Sequence, residues 1–146
     1  MRKKKIMNLR VQKAIDLHKQ GYNCAQAVIC AYANLYNMNE IDAFKVAEGF
    51  GAGMGIQSVC GALTGLFMLV GLDNSNGNVK NLSKSSTYKI TKEIANKFAA
   101  KNGSIICSEL KGLTGNKVLR TCDGCIEDAC QLFEEYVKNK VPLQIK

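Results

Sequence analysis

The sequence has no tryptophan, one proline, one histidine and only 7% aromatic residues. No apolar run reaches transmembrane length. The longest, Val59 to Leu72, is interrupted by glycines and a threonine and reads as a buried core helix. The basic start, Arg2-Lys3-Lys4-Lys5, is followed at once by Asn8, Arg10, Gln12 and Lys13. With no apolar stretch behind it, it is not a signal peptide, and a reducing cytoplasm is expected, with no membrane partner. The lone histidine, His18, lies beside Lys19 and is read as a surface residue. No serine–histidine–acid set and no paired-carboxylate pattern can be placed.

The chain of 146 residues is long enough for one compact domain, and its 47% hydrophobic content argues for a folded globule. Residues 1–10 read as a basic tail or the start of a first helix, and 11–146 as a single helical domain. Arg2, Lys3, Lys4 and Lys5 carry half of the formal charge of +8. The other lysines are scattered without interleaved aromatics, so no nucleic-acid partner is expected. The apolar content permits a homodimer.

Apolar spacing is helical almost throughout, and no stretch alternates as a strand would. Ile6 to Leu17 suits a first helix ending near Gly21. Asn23 and Asn39 are caps for a second and a third. A glycine cluster at 49, 51, 53 and 55 follows. Ser58 is read as the cap of a central helix from Val59 to about Leu72. Residues 73–82 form a polar loop. Ser83 or Ser85 opens a fifth helix running to about Ala100, and Ser104 a sixth reaching Gly112. A last helix runs from Thr121 to about Lys140, before Pro142. The expected fold is all-α, a single-domain bundle of six or seven unequal helices.

Cysteine is the abundant exception, with seven residues at 24, 30, 60, 107, 122, 125 and 130. Only Cys122-x-x-Cys125 is closely spaced, so there is no zinc-finger pattern of two close pairs. Ile126 excludes a haem attachment site, and no βαβ pattern supports a thioredoxin fold. A different regularity is present. Cys24, Cys60, Cys107 and Cys122 each fall near a helix start, where free amides and the helix dipole favour thiolate over thiol. Cys30 and Cys130 lie deep in their helices and read as core residues. Any one of these cysteines could equally be a small buried hydrophobe.

Cys60-Gly61-Ala62-Leu63-Thr64-Gly65 resembles the CGAxxG signature of the C_GCAxxG_C_C family of redox-active proteins. Gly21-Tyr22-Asn23-Cys24-Ala25-Gln26 and Gly49-Phe50-Gly51-Ala52-Gly53-Met54-Gly55 lie upstream of it. Cys107-Ser108-Glu109-Leu110 and Cys122 with Ile126-Glu127-Asp128-Ala129 lie downstream. The resemblance covers nearly all of the chain after residue 10. It implies a small redox protein defined by Cys24, Cys60, Cys107 and Cys122. Cys125 is a further candidate, and Cys30, Cys125 and Cys130 look peculiar to this chain.

Three functions follow, in order of expectation. In the first, the four cysteines hold a metal centre. An iron–sulfur cluster for electron transfer to a partner redox protein is preferred, with structural zinc or no cofactor as alternatives. In the second, the thiols do metal-free disulfide chemistry, Cys122 and Cys125 being the obvious local pair. In the third, the chain is a non-catalytic helical binding module with buried cysteines. Gly51, Gly53 and Gly55 would shape a loop beside the site, while Gly61 and Gly65 would let helices approach. Tyr22 and Tyr32 are candidates to flank the site. Glu48 and Glu109 are weak candidates for proton carriers.

Overall fold

The computed structural model describes residues 2–115 and 117–144, with side chains from 9 to 115 and 117 to 140. Among these residues there are seven α-helices and no strand. They are α1 (Arg2–Lys19), α2 (Cys24–Tyr32), α3 (Glu40–Ala47), α4 (Gly61–Asn74), α5 (Lys84–Asn102), α6 (Cys107–Leu110) and α7 (Cys122–Gln144). The all-α reading is correct.

Helix α4 is the axis of the molecule. Ala62, Leu63, Leu66, Leu69 and Val70 are fully buried, and they point to several sides of the helix. Such a helix must be surrounded: α2, α5 and α7 pack on it. Helix α2 is buried along its whole length, from Cys24 to Tyr32. It meets α4 where Gly65 lies against Ala25: a Cβ on Gly65 would stand 2.8 Å from the Ala25 carbonyl oxygen. Helix α1 covers α2 and α7 through Val11, Ala14 and Leu17. At the far end Phe133 of α7 meets Tyr32 edge-on, ring centroids 4.9 Å apart. Each large apolar side chain buried in this way contributes about 1.5–3 kcal/mol.

The expected caps at Asn23 and Asn39 form. The Asn23 side chain accepts from Gln26 N at 2.9 Å, and Gln26 Oε1 accepts from Asn23 N at 2.9 Å, a closed capping box. Asn39 Oδ1 accepts from Ile41 N at 2.7 Å. Other boundaries differ. Helix α1 begins at Arg2, so the basic segment continues the helix. Ser58 does not cap α4. Residues 58–60 are drawn instead into a short antiparallel bridge, Val59 to Ile106, with Cys60 N donating to Ile105 O at 2.8 Å and Cys107 N to Ser58 O at 2.6 Å. Helix α4 therefore starts at Gly61 with Cys60 in the cap position. Ser104 accepts from Ile106 N at 2.9 Å, a local turn that delays α6 to Cys107. Helix α7 runs past Pro142 instead of stopping before it.

Between α3 and α4 the chain makes a 3₁₀ turn, Glu48–Phe50, and a wide turn, Gly53–Gln57. Ala52, Met54 and Gln57 are left-handed there, with φ of 52°, 63° and 60°. Non-glycine residues adopt that conformation only where the surroundings hold it. Gly53 is left-handed too, and its place is forced twice over: a Cβ would stand 2.4 Å from Ser58 N and 2.8 Å from Cys107 Cβ.

Candidate redox site: five thiols around one cavity

Four segments far apart in sequence deliver cysteines to one place. Cys24 is the first residue of α2, Cys107 of α6 and Cys122 of α7, while Cys60 caps α4. Cys125 joins them from the next turn of α7. These five side chains, with Ala52, Gly61, Leu110, Lys111 and Arg120, line a cavity of about 20 Å³, room for about one water molecule. All seven cysteines are free. Cys24, Cys60, Cys107 and Cys125 are buried, and Cys122 is half-buried.

The neighbouring backbone holds this arrangement. Thr121 Oγ1 accepts from Gly124 N at 3.0 Å and caps α7 beside Cys122. Asn23 Nδ2 donates to Glu48 O at 3.0 Å, tying the start of α2 to the glycine-rich loop. Gly51 lies directly on the Asn23 side chain, and a Cβ there would overlap it. Gly61 lies against Cys24, and Gly53 against Cys107. Gly65 acts one turn further on, between α4 and α2. Gly55 touches nothing within 4 Å and has a φ of 72°.

The thiols are paired across helices. Cys24, Cys122, Cys60 and Cys125 line the same cavity, and the protonation of Cys122 answers chiefly to Cys24 and that of Cys60 to Cys125. In each pair the charge is divided unequally. The Cys24 thiol donates to the Cys122 sulfur and holds its pKa down to about 6; burial opposes this, while Lys111 and His18 add to it. Cys24 is pushed up by the same bond, by burial and by the Cys122 charge. Cys60 is lowered by the Cys125 thiol, against burial, with the Leu63 and Ala62 amides of α4 helping. Cys125 is raised by its bond to Cys60 and by burial. Cys107 takes no part in either pair, and burial raises it. Lys111 is raised chiefly by the Cys122 charge.

Several expectations change with this geometry. The protonation of Cys122 answers first to Cys24 and that of Cys125 to Cys60, so neither has the other as its main neighbour. His18 is not a bare surface residue: its Nδ1 lies 2.7 Å from Asp123 Oδ1, at the start of α7. Glu109 is held by Ser104. Glu48 and Tyr22 line a separate shallow concavity with Glu40, Ile41, Phe44 and Lys45. Tyr32 is buried and donates to Glu134 Oε1 at 2.8 Å. Cys30 and Cys130 lie in the core, where burial pushes their thiols up to about 11 and about 12. Lys111 and Arg120 were not marked by the sequence, since nothing local sets them apart from other surface cations. The CxxC spacing did point to Cys125.

Thiolates are a donor set that suits iron or zinc. Their arrangement does not. Among the described residues no three His, Cys, Asp or Glu side chains are grouped to hold one ion.

The family model described as "Putative redox-active protein (C_GCAxxG_C_C)" matches residues 22–136, a span that includes every cavity-lining cysteine. No curated protein and no solved structure matches the chain. No described helix is long and apolar enough to cross a membrane.

Proposed function

This chain belongs to the C_GCAxxG_C_C family of redox-active proteins, and we propose that it works by thiol–disulfide exchange, with Cys122 as the attacking thiol and Cys24 as its resolving partner. The observation that carries this reading is the meeting of free Cys24 and Cys122, from the starts of two helices, at one cavity, with Cys122 favoured as thiolate and Cys24 as thiol. Nucleophilic attack needs the thiolate at ambient pH, and resolution needs a second thiol within reach. Cys122 is also the most exposed of the five.

The chemistry balances without a cofactor. The Cys122 thiolate attacks one sulfur of a substrate disulfide, and the other sulfur leaves as a thiolate. Cys24 passes its proton to that leaving group and attacks Cys122 Sγ. The second substrate sulfur leaves, and a Cys24–Cys122 disulfide remains. The substrate gains two electrons, and a dithiol reductant returns the protein to its starting state. The reading places the chain in a reducing compartment such as the cytoplasm, serving a partner redox protein.

A second reading is a metal centre, an iron–sulfur cluster used for electron transfer. It is favoured by the convergence of five thiols from four segments on one cavity, and it requires at least three of them to draw together around one ion. One preparation separates the readings. The full-length chain, purified anaerobically, is assayed for iron and acid-labile sulfide, then equilibrated in reduced and oxidised dithiothreitol, acid-quenched, alkylated and mapped. Thiol exchange predicts a reversible Cys24–Cys122 disulfide. Stoichiometric iron and sulfide would replace it with the cluster. Neither metal nor disulfide would leave a helical module with cysteines in its core.

A further inference from the structure

The four-cysteine pattern does not call for Cys125, yet Cys125 lines the same cavity as Cys60, and it is Cys125, not Cys107, that most affects the protonation of Cys60. We propose that Cys60 and Cys125 form a second dithiol–disulfide couple, connected to the Cys24–Cys122 couple through Cys125, so that one cavity stores four electrons as two dithiols and gives them up as two disulfides form. The inference rests on the thiol–disulfide reading and adds to it a second couple and a route between the two.

Burial decides the direction of traffic. Cys60 is 5% exposed and Cys125 3% exposed, so neither meets a bulky partner directly. Half-buried Cys122 is the outlet, and Cys125 stands three residues on from it in α7. Residues three apart in a helix have Cα atoms about 5 Å apart, within the span a disulfide bridges. The turn joining them is kept clear for a cation. Gly124 lies under the Arg120 guanidinium, where a Cβ would stand 2.5 Å from Nε. Arg120 also lines the cavity and is held by Asp128 and Glu127. A fixed positive group over this turn favours the thiolates that exchange must generate.

The internal step is balanced. After the outer couple has been oxidised, the Cys125 thiolate attacks Cys122 Sγ, and Cys24 leaves and takes up a proton. The Cys60 thiolate then attacks Cys125 Sγ, breaking the Cys122–Cys125 bond and freeing the Cys122 thiolate. Two electrons and one proton, the one that Cys125 gives up and Cys24 receives, pass from the inner couple to the outer one. Cys122 is thereby rearmed for a second substrate disulfide before any external reductant is needed.

The test uses the full-length chain in graded dithiothreitol redox buffers, with acid quenching, alkylation, and peptide cleavage before Asp123 to separate Cys122 from Cys125. Both disulfides, Cys24–Cys122 and Cys60–Cys125, should appear, with four electrons given up per chain. In Cys125→Ala the yield should fall by half, to two electrons, with Cys24–Cys122 retained. In Cys122→Ala, Cys60–Cys125 should form at least tenfold more slowly with a bulky protein disulfide as oxidant. Wild-type protein in which Cys60 and Cys125 stay alkylatable at every potential overturns the second couple and leaves the first reading standing. An unchanged rate in Cys122→Ala overturns the route. No disulfide at all in the wild type overturns both readings.

Discussion

Gly61 of α4 lies against Cys24 of α2: a Cβ added at 61 would stand 3.2 Å from the Cys24 Cβ and 2.9 Å from the Phe50 carbonyl oxygen. The glycine beside one cysteine thus sets the position of another. Gly61→Ala should improve local helix propensity but force α2 and the loop away from α4. The expected net loss is about 1–3 kcal/mol, read by urea denaturation. Alkylation of Cys122 should slow at the same time, because Cys24 is moved from its partner. A variant as stable as wild type, with unchanged alkylation, would contradict this packing.

The Cys24–Cys122 bond sets a pH profile. A group whose pKa is depressed stays charged down to that lower value. Iodoacetamide labelling of Cys122 should therefore be half-maximal near the pKa of about 6 and fall about tenfold per pH unit below it. An ordinary thiol would show its midpoint near about 8.5. Cys24→Ala removes the donor and should move the midpoint upward. An unmoved midpoint would show that Cys24 is not what holds the thiolate.

Lys111 borders the cavity and favours the Cys122 charge. Lys111→Gln keeps the length of the side chain and removes its charge. Labelling of Cys122 at pH 6 should drop by about two- to tenfold. High salt should narrow the difference between the two proteins, because Lys111 is in part solvent-exposed. Measured rates that agree at low salt would exclude Lys111 from the site.

Asp128 is 1% exposed and serves two cations. Its Oδ1 accepts from Lys101 Nζ at 2.6 Å and its Oδ2 from Arg120 Nε at 3.0 Å. Burial works to raise its carboxyl pKa, but Lys101 and Arg120 prevail and the value is lowered. Its contribution to stability is therefore full above the ordinary value of 3.8 and is lost as pH falls below it. Asp128→Asn should cost about 2–4 kcal/mol at neutral pH. Chemical denaturation should find that gap closing as pH drops below 4 by about one unit; a gap independent of pH would contradict the sign.

What the sequence determined alone was local in origin. Helical spacing, the Asn23 and Asn39 caps and the buried character of the central helix depend on neighbours within a few residues. So does the placing of Cys24, Cys107 and Cys122 at helix starts. These were legible because caps and apolar periodicity act over one or two turns. The tertiary structure decided which sulfur faces which. That outcome depends on how α2, α4 and α7 cross, which is set by close contacts such as Gly65 on Ala25. The same long-range packing turned Ser58 from a cap into part of a bridge to Ile106 and brought His18 to Asp123. It also set Cys125 beside Cys60 on one cavity, where spacing along the chain had suggested Cys122 as the partner of Cys125. No local pattern encodes a contact between residues 60 and 125, because it exists only once three helices have packed.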